Sequence, residues 1–300
     1  MHLPYACCLL LGLGALLISC SQASQPPVSA PPQTSPTPHE PAMEPSTVPC
    51  QEHFSAAGLP HRAPLLDRER SFFRSLAPLL LGRGRGELAE VPALTAADLE
   101  QGLVSPAPSH PWISAFLIGR CRCADPAVDA RLTDALEQSI AVPTPEPILA
   151  VEVGMSLLLR DRRERGLAQL RAVLTDPDPF GEQYKAAYYL AQAGDPSGYP
   201  QLHAAAHARS NQARIMAIRH AIGFRPYDGQ AVDGVTIDVR QLLLDRLADP
   251  EPIVRQEVPV YLEELAIPDL VAVLEPVAEN DPSEAVRLVA QAVMDRAARR

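Results

Sequence analysis

From Leu65 onward, apolar residues recur three and four positions apart, and Pro, Asp-Pro or Gly interrupts them every ten to fifteen residues. That spacing puts the apolar side chains on one face of a helix. It predicts helices over 67–82, 96–103, 110–121, 126–140, 146–160, 163–174, 181–193, 197–208, 211–223, 237–248, 251–265, 268–279 and 283–298. No stretch alternates long enough to predict a strand. Pro126, Pro196, Pro252 and Pro268 fall in predicted first turns, where a missing N–H costs nothing. Asp125, Asp195, Asp249 and Asp281 stand where a carboxylate can cap a helix start.

The pattern before Leu65 is different. Leu9–Ile18 is an apolar run of ten residues, the length of a signal-peptide core and about half of the ~20 residues a spanning helix needs. It ends in Leu17-Ile18-Ser19-Cys20, which resembles the lipobox of bacterial lipoproteins. The resemblance implies a signal peptide over 1–19, lipid on Cys20, and a cell-envelope address. With Ser21 after the cysteine, it points to the outer membrane of a Gram-negative cell. Residues 20–64 carry few large apolar side chains, and nine of the chain's 32 prolines lie between Gln25 and Cys50. Such a segment cannot bury enough surface to offset its chain entropy and reads as a disordered tether.

The helical part repeats itself. Asp249-Pro-Glu-Pro-Ile-Val-Arg255 matches Asp281-Pro-Ser-Glu-Ala-Val-Arg287, with the arginines 32 residues apart. Ala213-Arg214-Ile-Met-Ala-Ile218 fills the same slot 41 residues before Arg255, the excess lying in a Gly/Asp-rich insertion over 224–238. Thr175-Asp-Pro-Asp-Pro179 opens a further unit that ends in Gly194-Asp195-Pro196, and there Gln183 occupies the arginine slot. These residues resemble HEAT repeats, including the short kind of the phycobilisome-lyase-like group. The expected fold is therefore all-α: an α-solenoid of stacked helix pairs over 126–300, preceded by a helical cap over 65–125. Each pair buries one side of itself, so neighbours stack to close the core, and the arginine is expected to bridge neighbouring turns.

Composition narrows the chemistry. The chain is 47% hydrophobic but only 5% aromatic, which suits Ala/Leu-rich stacked helices; its net charge is −10, against a nucleic-acid partner. Once the signal and Cys20 are set aside, Cys50, Cys121 and Cys123 remain, and a disulfide from Cys50 to either Cys121 or Cys123 is open. His203 and His207 stand one helical turn apart and form a weak metal pair; Ala204 after the first histidine excludes the zinc-protease pattern. The run Arg160–Arg165 reads as a solvated helix junction.

In HEAT-like families the second helix of each pair lines the concave face, where partners bind. Aligning the second helices puts Tyr189, His220, Tyr261 and Val293 in one column, with Glu257 and Glu264 flanking Tyr261. This stripe is the expected partner-binding surface. The resulting expectation is a lipid-anchored envelope protein that holds an envelope protein as scaffold, assembly factor or adaptor, with no enzymatic activity and no cofactor. An inhibitor covering a secreted toxin stays open as an alternative, as does an enzyme or cofactor-lyase-like protein.

Overall fold

The computed structural model describes residues 48–53, 74–77, 79–80, 94–141, 146–175 and 181–299. The chain divides into two units, Met1–Glu44 and Pro45–Arg300, and every described residue lies in the second. The signal peptide, Cys20, most of the tether and the Asp176–Pro179 segment lie outside the described residues.

Among the described residues the helices follow the sequence spacing closely. They are α1 (Ala96–Leu103), α2 (His110–Gly119), α3 (Pro126–Ser139), α4 (Pro147–Leu159), α5 (Arg163–Thr175), α6 (Glu182–Gln192), α7 (Tyr199–Ala206), α8 (Asn211–Ala221), α9 (Val239–Arg246), α10 (Pro252–Leu265), α11 (Leu270–Asn280) and α12 (Glu284–Ala297). Residues 74–77 and 79–80 are also helical, and Leu76, Ala77 and Leu80 are buried.

The helices pack as six consecutive pairs, from α1/α2 to α11/α12. The second helices also pack on one another in order: α2 on α4, α4 on α6, α6 on α8, α8 on α10 and α10 on α12. This is an α-solenoid of stacked helix pairs. Two apolar clusters share α4: Leu149, Val153 and Leu157 join the N-terminal one, and Ala150, Val151, Met155 and Leu158 the C-terminal one. The pair α1/α2 is therefore joined to the later pairs through a common core helix. Gly154 on α4 and Gly166 on α5 set a close approach, since a Cβ at Gly166 would stand 2.7 Å from the Gly154 carbonyl oxygen.

The arginine slots tie one repeat to the next. Arg214 donates to both carboxylate oxygens of Asp249 at 2.8 and 3.0 Å, and to the carbonyls of Ala208 and Arg209 in its own loop. Arg255 repeats this with Asp281 at 2.7 and 2.8 Å and with the carbonyls of Asp249 and Pro250. Asp249 and Asp281 do not themselves start their helices. They sit two residues ahead of the caps Glu251 and Ser283 and accept those residues' N–H groups at 3.0 and 2.8 Å, as Asx turns. Asp125 does cap α3, accepting from Ala127 N at 2.8 Å.

Two expectations need correction. Short strands β1 (Pro49–Glu52), β2 (Leu94–Thr95) and β3 (Cys121–Cys123) form an antiparallel sheet in the order β2-β1-β3. Two to four residues are too few to leave an alternating signature. The tether expected over 20–64 must also give up Val48–His53. Val48 accepts from Ala96 N at 3.1 Å, Cys50 pairs with Leu94 and Cys123, and His53 N donates to the Arg120 carbonyl at 2.8 Å. The 224–238 insertion is a short 3₁₀ turn (Ile222–Tyr227) followed by a hairpin of β4 (Ala231–Val232) and β5 (Val235–Thr236). Its turn residues Asp233 and Gly234 both have positive φ, as a type I′ turn requires. Tyr227 Oη donates to the Ala191 carbonyl at 2.6 Å and holds the insertion on the stack.

Candidate functional site

Helix α4 reads Pro-Ile-Leu-Ala-Val-Glu-Val-Gly-Met-Ser-Leu-Leu-Leu, apolar all round because it is buried all round. Glu152 breaks that pattern and is fully buried. A carboxylate in such surroundings needs cations, and two supply them. Lys185 Nζ from α6, the chain's single lysine, forms an ion pair with Glu152 Oε1, and Arg120 Nη1 stands 3.8 Å from Oε2. Arg120 is itself fully buried, with its guanidinium 3.7 Å from the Phe116 ring centroid. Tyr189 Oη donates to Glu152 Oε1 at 3.4 Å, and the Lys185 ammonium stands 5.8 Å from the Tyr189 ring. Burial opposes the Lys185 charge, but Glu152 outweighs it and lifts the ammonium above its ordinary range.

The next step along the second-helix layer is aromatic. Tyr188 and His220 face each other with ring centroids 5.4 Å apart. Nε2 of His220 is buried with no hydrogen-bond partner among the described residues. Burial, with the charges of Lys185 and Arg219 adding to it, pushes the His220 imidazole down to about 3, so the ring is neutral. Arg219 then reaches α10, donating to both carboxylate oxygens of Glu257 at 2.8 and 3.1 Å.

The expected stripe is thus only partly a surface. Tyr189 and Val293 are buried, His220 and Tyr261 are half-buried, Glu257 is held by Arg219, and Glu264 is half-buried on α10. One residue turns a side chain by about 100°, and the neighbouring column, Tyr188, Arg219, Val260 and Ala292, is half-buried throughout. Around it the second-helix layer presents Tyr184, Met216 and two strongly exposed apolar side chains, Ile253 at 54% and Leu288 at 63%. The sequence signal that could have found Glu152 and Lys185 was available: one carboxylate in an otherwise apolar helix, and one lysine in the chain.

The other candidates have structural surroundings. A disulfide joins Cys50 to Cys123, with Cα atoms 4.2 Å apart, and leaves Cys121 as a buried free thiol. His203 and His207 lie 4.8 Å apart by ring centroid, and among the described residues no group of three or more His, Cys, Asp or Glu forms around them. In the Arg160–Arg165 run only Arg160 is buried, and residues 161–165 are exposed, as a solvated junction would be. Arg160 is buried and bonds Asp129, Thr133 and the carbonyls of Ile118 and Cys121, Arg163 holds the Ala193 carbonyl, and Arg162 and Arg165 meet Glu137. A cleft of about 600 Å³ opens at the α10–α11 turn, and none of the candidate residues lines it. No described helix is long and apolar enough to cross a membrane.

No family model and no curated protein matches the chain. Among solved structures it is similar to human deoxyhypusine hydroxylase in complex with glycerol, at 17% identity and a TM-score of 0.34, over 78% of this chain and 97% of that one. That finding corrects one expectation. The chain was expected to have no enzymatic activity, with an enzyme kept as an alternative; the matched protein is an enzyme, against that expectation, and an overlap this low assigns the chain no reaction.

Proposed function

We propose that this chain is a lipid-anchored cell-envelope module, attached through Cys20, that holds a protein partner on the solvent face of its second-helix layer. The observation that carries the reading is the run of Tyr184 and Tyr188 on α6, Met216 on α8, Ile253 and Val260 on α10, and Leu288 on α12. These large side chains continue one face across four adjacent helices. Tyrosine and long aliphatic side chains bury much area at a contact. The ion pairs Glu152–Lys185 and Arg219–Glu257 fix neighbouring second helices and hold the face rigid. Anchoring at the outer membrane rests on the Leu-Ile-Ser-Cys sequence followed by Ser21.

The test uses the full chain in its own envelope. Labelled palmitate is expected to enter the wild-type protein and not Cys20→Ser. Crosslinking and pull-down are expected to recover one dominant envelope protein with wild type and to lose it with Tyr188→Ala/Leu288→Ser, whose folding is checked by circular dichroism. Equal recovery by the folded double variant would remove this face from the reading, and palmitate entering Cys20→Ser would remove the anchor.

A further inference from the structure

Helix α7, the first helix of its pair, carries two imidazoles that take no part in the second-helix face. The segment Leu202-His203-Ala-Ala-Ala-His207 sets them four residues apart, one turn from each other on one side of the helix. Leu202, Ala205 and Ala206 face the core, which leaves His203 half-buried and His207 exposed. His203 stands in the last turn, and His207 is the C-cap, its N–H donating to the Ala204 carbonyl at 3.2 Å. Among the described residues no hydrogen bond engages either ring. Their contacts are ring to ring: His203 lies 6.0 Å from Tyr199 and 4.8 Å from His207 between centroids.

Two imidazoles one helical turn apart can chelate a single metal ion, and their spacing selects which. A metal about 2.1 Å from one nitrogen of each ring stands about 3.2 Å from each ring centre, so rings 4.8 Å apart set a nitrogen–metal–nitrogen angle of about 95°. That is close to the ~90° between neighbouring positions of a square-planar or octahedral ion and narrower than the ~109° of a tetrahedral one, which favours Cu²⁺ or Ni²⁺ over Zn²⁺. The surroundings suit a cation. The helix ends here, and its carbonyl end is the negative one. Asp245 and Arg246 of α9 act on the His207 ring with opposite signs. The guanidinium is turned inward, donating to the Ala206 carbonyl at 2.8 Å and standing 3.5 Å from the Asp249 carboxylate. No third His, Cys, Asp or Glu joins the two rings among the described residues, so the ion's other positions fall to water.

We infer that His203 and His207 together hold one divalent transition cation of the Cu²⁺ or Ni²⁺ class at the end of α7. The probes are CuCl₂, NiCl₂, ZnCl₂ and MgCl₂, titrated calorimetrically into the full chain in detergent. Diethyl pyrocarbonate labelling with peptide mapping then reads which imidazoles the ion covers. Cu²⁺ is expected to bind most tightly, as the order of divalent affinities requires, with Ni²⁺ ahead of Zn²⁺ and Mg²⁺ not binding. Bound Cu²⁺ is expected to protect both His203 and His207 from the reagent. His207→Ala is expected to weaken Cu²⁺ binding at least about tenfold, one decade being about 1.4 kcal/mol. Adding His203→Ala is expected to change it much less, because one ring no longer chelates. His207 is exposed, so its variant keeps the fold, and an unchanged urea midpoint verifies it. Undiminished binding to His207→Ala, protection of neither ring or of one alone, or Mg²⁺ matching Cu²⁺ would each overturn the inference. Zn²⁺ binding more tightly than Ni²⁺ would overturn the choice of ion. None of these outcomes touches the protein-binding face, which the Tyr188→Ala/Leu288→Ser pull-down tests by itself.

Discussion

Both carboxylate oxygens of Asp249 are held by Arg214, thirty-five residues earlier, with Nε at 2.8 Å and Nη2 at 3.0 Å. The pair is buried, with Arg214 at 6% and Asp249 at 3% exposure, and the same aspartate accepts the N–H of Glu251. One side chain thus closes a turn in its own repeat and receives the arginine of the repeat before. In a stack where each pair touches only its neighbours, such bonds hold successive repeats in register.

Removing Arg214 leaves Asp249 buried with only Arg246, at 3.5 Å, to face it, a loss approaching the about 3–5 kcal/mol of a broken buried pair. Arg214→Ala is therefore expected to lower the urea midpoint strongly. Arg240–Asp269 is as short, at 2.6 Å, but about half-exposed on both sides. Arg240→Ala is expected to cost less than about 1 kcal/mol. Equal effects of the two variants in the same urea titration would mean that burial does not set the value of these bridges.

The helices were legible because their spacing and punctuation are local. Most predicted boundaries fall within two residues of the observed ones, and the arginine and Asp-Pro slots of the repeat marked both ends of the Arg214–Asp249 bond. The sheet was not legible, since Pro49–Glu52 finds its partners at Leu94 and Cys123, and no local pattern encodes a pairing across that distance. The binding face was half legible. Aligned repeats identified which helices carry it, but choosing Tyr189 over Tyr188 needs the rotation of α6 against α4, which the hydrogen bond from Tyr189 to buried Glu152 fixes. Glu152 and Lys185 are each conspicuous in the sequence, as one carboxylate in an apolar helix and one lysine in the chain, but that they meet is set by tertiary contact between two pairs.

Acidification is expected to weaken the fold through His220. Its folded pKa is lowered to about 3 by burial first, with Lys185 and Arg219 adding to it, while an unfolded histidine titrates near ~6.5. Between these values the unfolded chain binds a proton that the folded chain refuses. The His220 contribution is thus complete above pH ~6.5 and falls by about 1.4 kcal/mol per pH unit toward pH 3. Asp281, held below the usual carboxylate range chiefly by hydrogen bonds from Arg255, loses its contribution in the lower window, under ~3.9. The difference between wild type and His220→Phe isolates the histidine, because phenylalanine keeps the ring beside Tyr188. Parallel stability curves for the two proteins from pH 6.5 to 4 would contradict this assignment.

The Cys50–Cys123 bond closes a span of 73 residues and fastens β1 to the helices. Chain-entropy arguments give a crosslink of this length about 4 kcal/mol, so Cys50→Ser is expected to lower the melting temperature by several degrees. Cys121 should behave oppositely toward reagents. Its thiol is fully buried and burial pushes its pKa up to about 11, so little thiolate forms at neutral pH. Iodoacetamide followed by peptide mapping is expected to leave Cys121 unmodified in the folded protein and to alkylate it in denaturant. Rapid native labelling would place that thiol at the surface.

Lys185, the chain's single lysine, forms its ion pair across two helix pairs. Lys185 and Arg120 both point at Glu152, so removing the carboxylate takes it from fully buried Arg120 as well as from half-buried Lys185 beside it, which is worse than removing Lys185 alone. Glu152→Leu is expected to cost at least about 3–5 kcal/mol, Lys185→Met less because Arg120 still faces the carboxylate, and the double variant less than the sum of the two. Urea titration of the four proteins closes this cycle. The same geometry makes Lys185 a poor nucleophile, since Glu152 keeps its amine protonated. Amine-acylating reagents at pH 8 should spare it in wild type, and Glu152→Gln should expose it to them. If the two single variants add without coupling, or if acylation is equally fast with and without the carboxylate, the ion pair does not hold α6 against α4, and Tyr188 then owes its position on the face to packing alone.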